Sequence, residues 1–283
     1  MRLAEIKQNI KKQLANSYEP VELNSLLPLF IEHITGWNQV QQVIHQNEEM
    51  VPEWEKSFQE GSLQLAQGKP IQYIIGKSWF LGNDYFVNES VLIPRPETEE
   101  LVEWVSEYAQ IINKPLQIAD IGTGSGCIAI ALSLLLPDAT VTGIDISEDA
   151  LQVAQKNATA LAANIEWVQQ DILMSASLPG NYDIMVSNPP YIPIREKATM
   201  QDQVTLHEPD IALFVTNEDP LIFYKMIARL GKQALNKNGQ LFFEIHYDQG
   251  PALLKLLDEM NYHAELRQDM FGKDRMIRAS LKK

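Results

Sequence analysis

The stretch "LQIADIGTGSGCIAIALSLLLP", Leu116 to Pro137, constrains the fold of this chain more than any other. A short apolar run passes into three glycines at every second position and then into a long apolar run with helical character. Gly122, Gly124 and Gly126 therefore sit between a strand and a helix, where the lack of side chains lets backbone approach a ligand closely. The spacing is GxGxG. Cys127 stands where the dinucleotide fingerprint needs its last glycine or alanine, which favours a ligand without a pyrophosphate.

Downstream of Pro137 the alternation repeats. "TVTGID", "IEWVQQD", "YDIMVSN" and "GQLFFEI" read as strands separated by segments long enough for crossover helices, which predicts an α/β fold with a mostly parallel sheet. The last two runs, "HAELRQDM" and "RMIRASLKK", are joined through "FGKD" with no room for a helix, so the C-terminal edge is expected to be an antiparallel hairpin. Upstream the period differs. Leu3, Ile6, Ile10 and Leu14 recur at three and four residues, and similar stripes run to Gly68, predicting a small helical domain over residues 1–70. "IQYIIG", "SWFLGNDYFVN" and "SVLIP" read as strands of a β-hairpin linker over 71–94, with a turn signal at Gly82-Asn83-Asp84. Residues 95–283 form the third, ligand-binding domain.

Three acidic residues end three successive strands beside the glycine loop. Asp145 lies about 20 residues beyond the loop, where a carboxylate can accept both hydroxyls of a ribose. Asp120, at the loop entrance, is expected to attract a cationic group. Asp171 is expected to take an adenine amino group, with Ile172 packed on the ring. Together they describe an adenosine pocket.

The fourth strand ends in "SNPPYI", Ser187 to Ile192. Proline fixes its own φ and pushes the preceding residue towards extended conformations, so Asn188-Pro189-Pro190 is stiff and offers no proline N–H. The Asn188 side-chain oxygen and the Pro189 carbonyl become acceptors beside the face of Tyr191. Such a cluster suits a planar NH₂ group held for in-line attack on an electrophilic carbon. An amide nitrogen and a nucleobase amino nitrogen both satisfy that description. Asn188 is not a base, so the proton leaves during or after the transfer.

The chain carries 23 Lys plus Arg against 37 Asp plus Glu, a formal charge of −14, which repels a phosphate backbone. One cysteine allows neither an internal disulfide nor a zinc knuckle, and no metal ligand set is expected. The N-terminus lacks the apolar stretch of a signal peptide, and the run from Cys127 to Leu136 is about half the ~20 residues of a bilayer span. A cytoplasmic protein that avoids membranes is expected.

"DIGTGSG", "GIDIS" and "VSNPPYI" resemble the motifs of class I S-adenosylmethionine-dependent methyltransferases that modify amino nitrogens. "LIPRPETEELV", "HEPDIALF", "DPLIFYKMI", "FEIHYDQG" and "GKDRMI" narrow the resemblance to the HemK/PrmC family, the N5-glutamine methyltransferases of peptide chain release factors. It spans nearly the whole chain. It implies a Rossmann-like sheet, S-adenosylmethionine as cofactor, and the glutamine of a Gly-Gly-Gln tip as acceptor. Asn188, Pro189, Pro190 and Tyr191 fall on the amide-holding segment; Gly122, Thr123, Gly124, Ser125, Gly126 and Asp145 fall on the cofactor segment. The helical domain would dock the release factor, Pro94–Thr98 would close over the crevice with Arg95 and Glu97 as contributors, and the protein would act as a monomer without nucleic acid. The competing reading is methylation of an adenine or cytosine amino group; a binding module without turnover is a third. Val215 to Asn217, Pro220 and His246 depart from the family pattern. His246 is read as a structural variant, His207 has no named partner, and Cys127 is read as a small buried helix residue.

Overall fold

The structure, a computed structural model, describes every residue except Asn113 and the side chain of Asp202. By its internal packing the chain divides into two units, Met1–Lys77 with Gln201–His207, and Ser78–Met200 with Glu208–Lys283.

The first unit is helical: α1 (Leu3–Leu14), α2 (Pro20–Thr35), α3 (Gln39–Ile44), α4 (Pro52–Ala66) and α5 (Ile71–Ile75). Leu3, Ile6, Ile10 and Leu14 are all buried against Leu27, Phe30, Phe58 and Leu65, so the spacing of three and four does form the core stripe. Residues 71–75 correct the sequence reading, which made them a strand. Pro70 precedes the helix, Gly76 ends it at φ +67°, and Ile71 and Ile74 pack on the helical core. Five residues are too few to show which period they obey.

The second unit begins with the hairpin β1 (Ser78–Phe80) and β2 (Asn83–Tyr85). Phe80 faces Asn83, so the turn is Leu81-Gly82, one residue earlier than the sequence signal, and both residues have positive φ. "SVLIP" forms no strand, a second correction. Its Val91 N–H donates to Asn88 and its Ile93 N–H to the Glu208 carboxylate, so these amides are satisfied by a turn and a side chain instead of a sheet neighbour.

After the hairpin come α6 (Pro96–Ile112), β3 (Gln117–Ile121), α7 (Cys127–Leu135), β4 (Thr140–Asp145), α8 (Glu148–Ala160), β5 (Ile165–Gln169), β6 (Tyr182–Ser187) and β7 (Ile192–Pro193). A 3₁₀ turn (Ile194–Thr199) leads to α9 (Asp202–His207, in the first unit), α10 (Asp210–Leu213), β8 (Phe214–Val215), α11 (Ile222–Ala234) and β9 (Leu235–Glu244). The chain ends in α12 (Gly250–Glu259), β10 (Tyr262–Gln268) and β11 (Asp274–Leu281).

Seven strands make one sheet in the order β10-β11-β9-β6-β3-β4-β5. Five run parallel, and β11 and β10 are antiparallel at the edge, as the sequence predicts. Alternate residues serve opposite faces: Ile118, Ile184, Val186 and Phe242 join α6 and α7 on one side, while Ala119, Met185, Leu241 and Phe243 join α11 and α12 on the other. Both faces are covered, so the strands read as continuous apolar runs. The parallel strands bring the ends of β3, β4, β5 and β6 to one edge.

Gly143 in β4 lies opposite Trp167 in β5. A Cβ there would come within 2.3 and 2.5 Å of two Trp167 ring carbons. Gly143→Ala must displace the indole, and overpacking of this kind costs about 1–3 kcal/mol. A thermal melt should show a midpoint several degrees lower; an unchanged midpoint would mean that the indole moves freely.

Candidate active site

A cavity opens at the carboxyl edge of the sheet, and each of four strand ends supplies part of its wall: Ile121, Gly122 and Gly124 after β3; Asp145 to Ser147 after β4; Gln170 to Leu173 after β5; Ser187 to Pro190 after β6. Ser90 to Leu92 and parts of α10 and α11 complete it.

Two loop glycines have positive φ, +74° at Gly122 and +54° at Gly124, with nothing within 4 Å of where a Cβ would stand. Side chains there would fill the cavity. The loop is tied to β4: the N–H groups of Gly122 and Thr123 donate to the Ile144 carbonyl at 2.8 and 3.0 Å. Gly124 N–H donates to Asp145 Oδ2 at 2.8 Å, and Ser147 N–H to Oδ1 at 3.0 Å. Burial raises the Asp145 pKa against these backbone bonds. Each carboxylate oxygen keeps a further lone pair for a ligand hydroxyl.

Asp171 accepts the Leu173 N–H through Oδ1 at 2.8 Å, and Ile172 beside it is buried apart from its cavity side. This combination of apolar floor, two carboxylates and an uncovered glycine backbone fits an adenosine-bearing cofactor.

Other expected contacts stand behind the wall. Asp120 is fully buried; its Oδ2 accepts from the Thr123 hydroxyl at 2.6 Å and the Ala129 N–H at 3.1 Å, and its Oδ1 has no partner among the described residues. Burial pushes its carboxyl up to about 7. Thr123 and Ser125 are likewise buried. Gly126 starts α7 at φ +80°, with Ala154, Ile130 and Trp167 within 3.0–3.1 Å of a notional Cβ, so it serves helix packing.

A protonated Asp120 is favoured by the folded state, because its folded pKa lies above its unfolded one. Its contribution to stability is full below about pH 4 and is lost as pH rises through about 7. Asp120→Asn should therefore flatten the fall in melting temperature between about pH 4 and 7; an unaltered slope would sink this assignment.

Asn188 and both prolines line the cavity, but Tyr191 does not. Its ring packs on the sheet core, and its hydroxyl donates to Glu244 Oε1 at 3.3 Å because a buried phenol needs an acceptor. Tyr191, expected to offer its face to the acceptor, stands next to the cavity wall with its hydroxyl on Glu244. Asn188 Nδ2 donates to Thr98 Oγ1 at 3.2 Å, and Thr98 Oγ1 donates to Glu244 Oε2 at 2.6 Å.

Thr98, Glu244, Glu208 and Asn157 are functional-site neighbours that the sequence reading passed over. Glu208 is buried and accepts from Ile93 N–H and Arg95, pinning Pro94–Thr98 to the site edge. Asn157 is satisfied on three sides, by Phe86 N–H, Phe86 carbonyl and Ser125 carbonyl, and so anchors the glycine loop. A signal for such residues is a polar side chain at an apolar helix or strand position, since burial demands partners.

Val215, Asn217 and His246, three of the departures from the family pattern, have structural partners. Asn217 Oδ1 accepts the Arg195 N–H at 2.9 Å, and Val215 pairs in register with Pro193. His246 pairs with Asp248 and stands against Tyr191. His207 meets the Gln67 carbonyl within the first unit, and Cys127 is buried in α7. Among the described residues no helix is long and apolar enough to cross a membrane.

Residues 5–76 match the PrmC N-terminal domain and residues 102–208 the Methyltransferase small domain. The release factor glutamine methyltransferase of Flavobacterium psychrophilum is 41% identical over 276 residues, covering 95% of each chain. That of Bacteroides thetaiotaomicron is 39% identical, covering 96% of this chain and 97% of the relative. In fold, a methyltransferase from Pyrococcus furiosus superposes with a TM-score of 0.53 at 14% identity, covering 78% of this chain and 98% of the other.

Proposed function

From the premise that this chain belongs to the release factor glutamine methyltransferases, we propose that it methylates the side-chain amide nitrogen of the glutamine in the Gly-Gly-Gln tip of a peptide chain release factor. S-adenosylmethionine, when bound, supplies an electrophilic methyl carbon.

The observation that carries the reading is the juxtaposition of Asn188 and Pro189 with Asp145, Asp171 and the open glycine backbone in one cavity. Asp145 would hold the ribose hydroxyls, Asp171 the adenine amino group and Ile172 the ring. Gly122 and Gly124 give room at the loop, while Asp120, Thr123, Ser125 and Gly126 hold the loop from behind.

The acceptor amide would donate its two N–H groups to Asn188 Oδ1 and the Pro189 carbonyl. An amide nitrogen is a poor nucleophile, so these residues act by orientation and by stabilising the positive charge that develops on nitrogen. Pro189 and Pro190 have no N–H with which to compete for those acceptors. Pro190 forms wall beside them, and Tyr191 supports Asn188 through Glu244. No side chain in the cavity needs to remove the proton beforehand; water takes it once the nitrogen is methylated.

The setting is a monomeric enzyme of the cytoplasm, where release factors work, and the helical unit, which runs to Lys77, would dock the substrate protein. The hairpin from Ser78 opens the second unit, which carries the cavity. The test is incubation of the protein with a release factor and methyl-labelled cofactor. Label on the tip glutamine, and none on a Gln→Ala tip variant, is the expected result. Label entering DNA or RNA instead would support the nucleobase alternative, and binding of cofactor without transfer to any of these would reduce the protein to a binding module.

A further inference from the structure

The structure assigns Thr98 and Glu244 a role as positioning residues that fix which way round the Asn188 amide is held. The assignment rests on the proposed methylation of an amide and deepens it.

An asparagine side chain can present either its oxygen or its NH₂ to a ligand, and the two orientations have almost the same shape. Only one of them accepts bonds from a substrate amide. Asn188 therefore needs a neighbour that discriminates its two ends. Thr98, in the first turn of α6, is buried, and its hydroxyl has a single proton. That proton points to Glu244 Oε2 at 2.6 Å, so towards Asn188 the Thr98 oxygen can only accept. It meets Asn188 Nδ2 at 3.2 Å, and Oδ1 is left for the cavity. Polarity thus passes from Glu244 through Thr98 to Asn188.

The outer end of the relay is equally constrained. Glu244 ends β9 almost completely buried. Tyr191 donates to Oε1, so both carboxylate oxygens act as acceptors. The charged or titratable groups acting on it are Arg275 of β11, itself held by Asp269, with Glu97 of α6, Tyr191 after β6, Cys127 of α7 and Tyr224 of α11. Tyr224 donates to its main-chain carbonyl at 3.0 Å. Burial raises the carboxyl to about 7 against the Thr98 bond and Arg275.

The direction of the relay depends on that proton. Above pH 7 the ionised carboxylate can only accept, Thr98 donates to it, and Asn188 turns its oxygen to the cavity. Below pH 7 a protonated Glu244 can donate to Thr98, whose own proton then selects the reversed amide. Turnover should fall as pH drops through about 7.

The test compares Thr98→Val, Thr98→Ser and Glu244→Gln, alone and with Asn188→Ala, using a release factor and S-adenosylmethionine. With Asn188 present, Thr98→Val is expected to lower kcat about tenfold, the loss of a preference worth one hydrogen bond. KM for the release factor and Kd for the cofactor should stay within about twofold on the same reasoning, since Thr98 touches neither. Thr98→Ser should restore kcat, and in the Asn188→Ala background Thr98→Val should cost nothing further. Glu244→Gln should abolish the acid limb of the kcat profile. Normal kcat in Thr98→Val, equal impairment in the Ser and Val variants, additivity with Asn188→Ala, or an acid limb surviving in Glu244→Gln would each overturn the assignment. Failure of the wild-type protein to label a glutamine would instead overturn the methylation reading, so the two failures are distinguishable.

Discussion

Asn188→Ala is expected to lower turnover by roughly 10²- to 10³-fold, the usual effect of deleting one preorganised polar group at a reacting centre. Affinity for S-adenosylmethionine should hardly change. The asparagine lines the cavity at its proposed acceptor end, and none of the bonds that shape the Asp145 end involves it. The truncation removes the acceptor and also leaves Thr98 Oγ1 without its Asn188 donor. Single-turnover methylation with saturating cofactor, beside a calorimetric titration of the cofactor, separates the two quantities. A variant with wild-type turnover would show that the amide is held elsewhere.

Asp145→Ala should act at the opposite end and on the opposite parameter. A hydrogen bond to a charged group contributes about 1.5–3 kcal/mol, so losing one ribose contact raises Kd on the order of 10- to 100-fold. The structure adds a second reason for a large effect. Asp145 also receives the amides of Gly124 and Ser147, so its removal frees the glycine loop and the start of α8 together. Asp145→Asn retains Oδ1 as an acceptor and should lie between alanine and wild type. Turnover at saturating cofactor should fall far less than Kd rises. An unaltered Kd in the alanine variant would place the ribose away from β4.

The sheet was largely legible because its strands are buried on both faces and separated by clear helical periods. "TVTGID" coincides with β4, and "YDIMVS" with β6. Residues 71–75 were misread because a five-residue helix and a short strand have the same apolar content, and only Ile71 and Ile74 packing on one core distinguishes them.

The cavity wall was legible where chemistry comes directly after a strand end, as at Asp145, Asp171 and Asn188. Asp120 stands equally at a strand end yet turns inward, and nothing in the chain of letters says which way a carboxylate faces. The Thr98–Glu244 contact joins residues 146 positions apart. Thr98 looks like any polar residue of a first helical turn, and Glu244 like the close of a strand. One clue was present: in "GQLFFEI" the acid succeeds apolar residues in a strand with both faces covered, and an acid so placed must find partners or stay protonated.

The cavity is assembled from loops that each leave a separate strand of one stiff sheet. This arrangement makes the site modular. The loops after β3, β4 and β5 frame the proposed nucleoside end, and the loop after β6 presents Asn188 and the two prolines. On the proposed assignment, exchange of the six residues Ser187 to Ile192, with their supports at Thr98 and Glu244, changes the acceptor end and leaves the nucleoside end untouched. The two ends of the site are thus separable by design, because they hang from different strands of the same sheet.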